Sequence, residues 1–346
     1  TATTERQDNL IELSSHVAAN PGDLQARRLE LVGRTLSAEG RDLDLARLDL
    51  AEFYLANNLT HEALGVLSVL RDTLRQPDME AAIRLVEGAT NVIAGRANEA
   101  LVQLNSDVLT NNADARLWRT MARVQLGDLE GARHEALGSE LLASNYPNWI
   151  RTRYLLAGIR AAVGRDDATL ATRLLRQIEL ASMNQDQIAE FEMLSGMLDE
   201  LNGRTAEALE SYGRVIAADR RATTPEAVLR TISLLDELGR LDVGRAVDTL
   251  SAQAAIWRGD RIELAIIEKL TDLQYRNGNF RDAFSLTRQA AEIYDNSDVL
   301  ARLMSRAQVE FSGLYIDGQA NALDAIEALS IYYDFRQLTP AGSAGD

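Results

Sequence analysis

The stretch Asn202–Arg220, NGRTAEALESYGRVIAADR, decides how this chain folds. A turn at Asn202-Gly203 leads into a helical pattern, with Ala208 five residues after Gly203 and Tyr212 four further on. The same arrangement returns at Gly95 with Ala100 (GRANEAL), Gly127 with Ala132 (GDLEGAR) and Gly278 with Ala283 (GNFRDAF). Gly164 (GRDDATL) and Gly239 (GRLDVGR) open weaker copies, and in the second Gly244 stands in the place of the alanine. Asn57-Asn58 before LTHEAL reads as a degenerate copy displaced by one residue. From Gly95 onward the spacings are 32, 37, 39, 36 and 39 residues. A repeat of that period with helical composition marks a helical solenoid.

Each unit reads as helix, turn, helix. The glycine ends the first helix in a left-handed conformation that a Cβ makes costly. The alanine lets the second helix cross the first closely. Seven residues before Gly203, Gly95 and Gly164 lie Gly196, Gly88 and Ala157, expected at the same crossing on the first helix, with Leu156 and Leu194 on its buried side.

This layout of small residue, glycine, small residue and aromatic resembles the tetratricopeptide repeat (TPR) family. Gly196, Gly203, Ala208 and Tyr212 match it best. The unit Ile267–Asp295 follows, through Leu270, Tyr275, Gly278, Phe280, Ala283 and Ala290. The units depart from the family in mostly exceeding its 34-residue period, in lacking the closing proline and in mostly lacking the early tryptophan. The resemblance implies an all-α fold: a right-handed α-solenoid of antiparallel helix pairs whose first helices line a concave groove.

The expected organisation is N-terminal helices over 1–56, a TPR-like array over 57–295, a closing helical pair over 296–338 and a linker-like tail over 339–346. Glu5–Ala19 and Leu24–Ala38 read as helices around an Asn20-Pro21-Gly22-Asp23 turn. Asp298–Ile316 and Ala320–Phe335 form the last pair. Ile331, Tyr332, Tyr333 and Phe335 stand close together there, so this helix either packs inward as a cap or is buried by further chain. IYYDFRQLTPAG resembles text in large TPR-containing envelope proteins of alphaproteobacteria, which implies a bacterial, periplasmic setting; a cytoplasmic one is the alternative. The chain opens on Thr1 and is read as a processed chain or a fragment.

Composition narrows the function. A net charge of −16 argues against a nucleic-acid partner, which needs a basic footprint. Cysteine is absent, which excludes disulfides, thiolate catalysis and Cys-based zinc. No run of eighteen apolar residues exists, so this segment does not insert into a membrane. His16, His61 and His134 lie in different units, and His134-Glu135 opens HEAL rather than a zincin helix. No phosphate-binding loop and no convergent acid, base or nucleophile is present, so the chain is read as non-enzymatic and without cofactor.

The candidate site is a surface. Arg116, Arg119 and Arg123 fall on one helical stripe, and Arg153 and Arg160 repeat the seven-residue spacing beside Arg151 on the next first helix. Together they are expected to present guanidinium groups to an acidic peptide or small anion in the groove. The competing reading pairs them with nearby Glu and Asp on an outer face. The next such helix carries Glu190, Glu192, Asp199 and Glu200, which would flip the groove's charge along its axis and suit an extended peptide. Trp118, Trp149 and Trp257 are expected to pack, with Tyr146-Pro147-Asn148-Trp149 as the stretch where an aromatic reaches a partner. The function expected is a scaffold that binds a protein or extended peptide in the groove, with self-association open. A ligand sensor using the arginines and a spacer within a larger protein are the alternatives.

Overall fold

The computed structural model describes residues 10–73, 77–140, 142–256, 261–294 and 298–339. Among these residues there are seventeen α-helices, short 3-10 turns and no strand. They fall into two compact units, one up to Arg204 and one from Thr205.

In the first unit α1 (Pro21–Ser37) precedes four helix pairs and a fifth first helix. The pairs are α2 (Gly40–Ala56) with α3 (Thr60–Thr73), α4 (Glu80–Ile93) with α5 (Ala97–Leu104), α6 (Ala113–Gln125) with α7 (Leu129–Ala136) and α8 (Asn148–Val163) with α9 (Ala168–Leu175); α10 (Gln185–Leu201) follows. The second unit holds α11 (Thr205–Ala218), α12 (Thr224–Glu237), α13 (Val243–Ile256), α14 (Arg261–Arg276), α15 (Phe280–Ile293), α16 (Asp298–Tyr315) and α17 (Ala325–Phe335).

One turn geometry closes the first helices. After α4 the N–H of left-handed Gly95 reaches the Val92 carbonyl, and the next N–H, of Arg96, reaches Asn91. This pairing satisfies carbonyls that the helix end would otherwise leave open. It recurs at Asn58, Gly127, Asp166, Gly203, Gly239 and Gly278, all with positive φ. Asp166, at φ +57°, takes the left-handed position that the sequence reading gave to Gly164, whose φ is −71°.

Counting from the left-handed residue restores the register. Five residues on lie Ala63, Ala100, Ala132, Ala171, Ala208 and Ala283, each fully buried. The Asn58 copy is therefore not displaced. The Gly239 copy differs: Gly244 is exposed, and Ala246 takes the packing position against Val228, Ile266 and Leu270. At the α4–α5 crossing a Cβ on Gly88 would stand 2.6 Å from Leu104 Cγ. At α8–α9 the close residue is Gly158, 2.8 Å in the same sense from Leu174, while Ala157 is half-buried.

In the first unit α2, α4, α6, α8 and α10 pack on one another in series. The second helices α3, α5 and α7 each fit between their own first helix and the next. The first helices thus form one continuous face. In the second unit α12, α14 and α16 pack in series, and Phe284 of α15 meets Tyr275, Phe311 and Phe335. Ile331 and Phe335 of α17 pack inward as a cap would, while Tyr333 stays exposed.

The expected helix Glu5–Ala19 is overturned over its described residues 10–19, while the expected Leu24–Ala38 helix is present as α1. Residues 10–19 form no α-helix: a 3-10 turn at Leu13–His16 is flanked by irregular chain that turns extended at Val17. Ile11 and Leu13 are buried, and Glu12 and Ser14 between and after them are exposed. Asn20 begins the helix instead, its side chain accepting from the Gly22 and Asp23 N–H groups with Pro21 in the first turn. Trp257, Asp295 and residues 340–346 lie outside the described residues.

Candidate functional site

The first-helix face of the first unit holds residues 10–18 by their main chain. Asn57 follows α2 at its left-handed turn, and its amide is anchored by donating to the Phe53 carbonyl at 2.8 Å. The same Nδ2 donates to the His16 carbonyl at 2.8 Å, and Oδ1 accepts from the Ala18 N–H at 2.9 Å. Asp114, in the first turn of α6, accepts the Leu10 N–H at 3.1 Å. Its other oxygen accepts the Tyr146 hydroxyl at 2.8 Å, and that hydroxyl accepts from Trp118 Nε1 at 3.3 Å. Burial holds the Asp114 carboxyl above the usual carboxylate range, against those two hydrogen bonds. Ser14 Oγ donates to the Asn145 carbonyl at 2.8 Å.

Between these anchors lies a titratable cluster. Glu52 of α2 faces the Glu12 backbone N–H, and burial together with Asp49 raises it to about 7. His16 Nε2 stands 3.3 Å from Asp49 and 3.7 Å from Glu52. Burial outweighs Asp49 and lowers the imidazole pKa, so His16 is neutral at pH 7. Its Nδ1 is buried without a hydrogen-bond partner.

Trp149 reaches the same face. Its Nε1 donates to the Ala56 carbonyl at 2.9 Å, which brings the start of α8 onto the end of α2, three pairs earlier. The exposed Arg153 lies over its ring, 5.3 Å from the centroid. Tyr146, read as part of an exposed stretch, is buried edge-on against Trp118.

The arginine stripe of α6 turns toward α7. Arg119 is only 4% exposed; it donates to both oxygens of Glu135 at 2.8 and 3.3 Å and to the Leu104 carbonyl at 2.9 Å. Arg116 and Arg123 each approach Glu135 to 3.9 Å, and Arg123 also binds Asp128. Arg160 meets Glu190 at 3.5 Å. Of the six candidate residues, Trp149 and Arg153 come together, and the three arginines of α6 converge on one carboxylate within their own pair. Asn57, Asp114, Glu52 and the segment they hold went unread in the sequence. The one signal was the alternation of Ile11 and Leu13, which the helical reading passed over.

In the second unit the matching helices leave a cleft of about 510 Å³, lined in part by Leu229, Ser233, Lys269, Thr271 and Leu303. Asp236 beside it accepts from Lys269 and Arg276, and these cations depress it to about 2. Among the described residues no set of three His, Asp or Glu could hold a metal, and no helix is long and apolar enough to cross a membrane.

A tetratricopeptide repeat protein from Parabacteroides merdae superposes with a TM-score of 0.51 at 13% identity, covering 75% of this chain and 96% of that one. The apo form of RapI superposes at 0.49 with 12% identity, over 86% of this chain and 98% of its own. No family model matches the chain, and no curated protein matches it. The chain is an all-α helical-repeat protein of TPR-like fold with divergent repeats.

Proposed function

We propose that this protein is a non-enzymatic scaffold that binds extended polypeptide on the first-helix faces of its repeats and so assembles a multiprotein complex. One observation carries the reading: side chains on the first unit's face bind the main chain of residues 10–18 at Leu10, His16 and Ala18. Main-chain hydrogen bonds with alternate apolar anchors are how folded domains grip extended peptides. The cleft between α12, α14 and α16 offers a second such face. An arginine-lined anion pocket is the alternative reading; the convergence of Arg116, Arg119 and Arg123 on Glu135 favours the scaffold over it. A bacterial envelope setting belongs to this proposal and rests on the resemblance of the C-terminal text alone.

The test is a photo-crosslinking amino acid at Ser233 of the full chain, expressed in its own cells, with mass spectrometry of the products. One dominant protein partner, crosslinked through an extended segment, is expected. Crosslinks spread evenly over abundant proteins would overturn the reading.

A further inference from the structure

Residues 10–18 touch their binding face in a manner that another chain can copy. Leu10, Glu12, His16 and Ala18 are engaged through main-chain groups, which every extended peptide has. Of its side chains, Ile11 and Leu13 enter the core, the His16 imidazole stands against Asp49 and Glu52, and the Ser14 hydroxyl bonds the Asn145 carbonyl. Glu12, Ser14, Ser15 and Val17 remain exposed. The receptor side carries the burden instead. Asp114, Glu52 and Asn57 are buried or half-buried, and an empty face would leave their polar atoms without these partners. The segment is joined to α1 through Ala19 and Asn20, so it competes as a tethered ligand at high effective concentration.

We infer that residues 10–18 are an internal ligand that closes the first unit's binding face, and that the face opens to a partner by exchange. This rests on the scaffold reading above. The partner is an extended protein segment with two apolar residues one apart, as Ile11 and Leu13 are, and polar residues around them. Binding is weakened by the fraction of molecules in which the face is open. A partner that displaces the segment also exposes Ile11, Leu13 and His16, which gives the exchange a signal ahead of α1.

The experiment uses full-length protein and a fluorescent peptide of sequence NLIELSSHVAA, residues 9–19, followed by anisotropy at pH 7. Wild type is expected to bind it weakly. Leu13→Asp, which expels the segment, is expected to bind at least about tenfold more tightly. A peptide carrying the same substitution should bind neither protein. A folded Leu13→Asp variant with no gain over wild type overturns the inference.

If that variant does not fold, native-state hydrogen exchange on wild type decides. The Leu10 and Ala18 amides should exchange at least about tenfold faster than those of Met121 and Ala122 in α6, through a local opening. Equal protection would make the segment part of the core and end the proposal. A partner crosslinked at Ser233 with no gain in Leu13→Asp leaves the scaffold standing and removes only the internal ligand. Absence of both removes both.

Discussion

Arg119 and Glu135 form a buried, two-pronged ion pair that ties α6 to α7, with distances of 2.8 and 3.3 Å. Glu135 also faces Arg116 and Arg123, so one carboxylate answers three guanidinium groups. Removing Glu135 leaves Arg119 an uncompensated charge in the interior, and removing Arg119 leaves Glu135 only the two 3.9 Å contacts to Arg116 and Arg123. Arg119→Ala or Glu135→Ala should therefore cost about 3–5 kcal/mol, while Arg119→Met/Glu135→Leu together should cost far less. Urea melts of the three variants check this. A double variant as damaged as the singles would show that the fold needs the charges themselves.

Glu52 sets a pH dependence. Its folded value is about 7, above the roughly 4.3 of an unfolded chain. The native state therefore holds a proton that the unfolded state has released, and stability falls as pH rises from about 4.3 to about 7. The difference is on the order of 3 kcal/mol. His16 acts oppositely: its folded value is depressed, so stability falls as pH drops below about 6.5. Glu52→Gln isolates the first effect, because His16 is present in both proteins. The variant should melt above wild type at pH 8 and close to it at pH 4. An offset independent of pH would rule out Glu52 as the titrating group.

The repeated turn makes an ordering testable. Gly95 is left-handed with open space around its Cα, so Gly95→Ala meets only the backbone penalty of about 1–2 kcal/mol. Gly95→Asn should cost less, since Asn58 and Asp166 adopt the same conformation in sibling turns. Asp166→Gly should stabilise slightly. Gly88→Ala fails for a different reason, the clash with Leu104, and should cost about 1–3 kcal/mol. Leu104→Ala, which removes the clashing Cγ and Cδ2, should cost less in the Gly88→Ala background than in wild type, and as much as in wild type in the Gly95→Ala background. Thermal melts of this set separate conformation from space.

Tyr146→Phe deletes the hydroxyl that joins Trp118 to Asp114. Among the described residues the Asp114 carboxyl then keeps the Leu10 N–H alone, and the cost should be about 1–3 kcal/mol. Because Asp114 holds the N-terminal segment, protection of the Leu10 amide should fall more than that of α7. A uniform loss across α6 and α7 would instead make the hydroxyl a plain core contact.

The sequence by itself determined the repeat. A left-handed residue followed five positions later by alanine is a local requirement, because helix termination and close crossing act within one unit. That is why Gly95, Gly127, Gly203 and Gly278 were legible, and why Asn58 and Asp166 blurred the register: each takes the glycine's conformation without its letter. The absence of cysteine and the acidic charge were equally plain. Only the tertiary structure decided the site. Whether Arg119 faces a groove or Glu135 depends on the rotation of α6 against α7, which seven-residue spacing leaves open. The N-terminal segment is not α-helical over residues 10–19 because its partners lie elsewhere in the chain: Asn57 is 39 residues from Ala18, and Asp114 is 104 from Leu10. Local propensity favoured helix at Glu5–Ala19. Within the described residues 10–19, main-chain groups of Leu10, Glu12, His16 and Ala18 are instead taken by Asp114, Glu52 and Asn57.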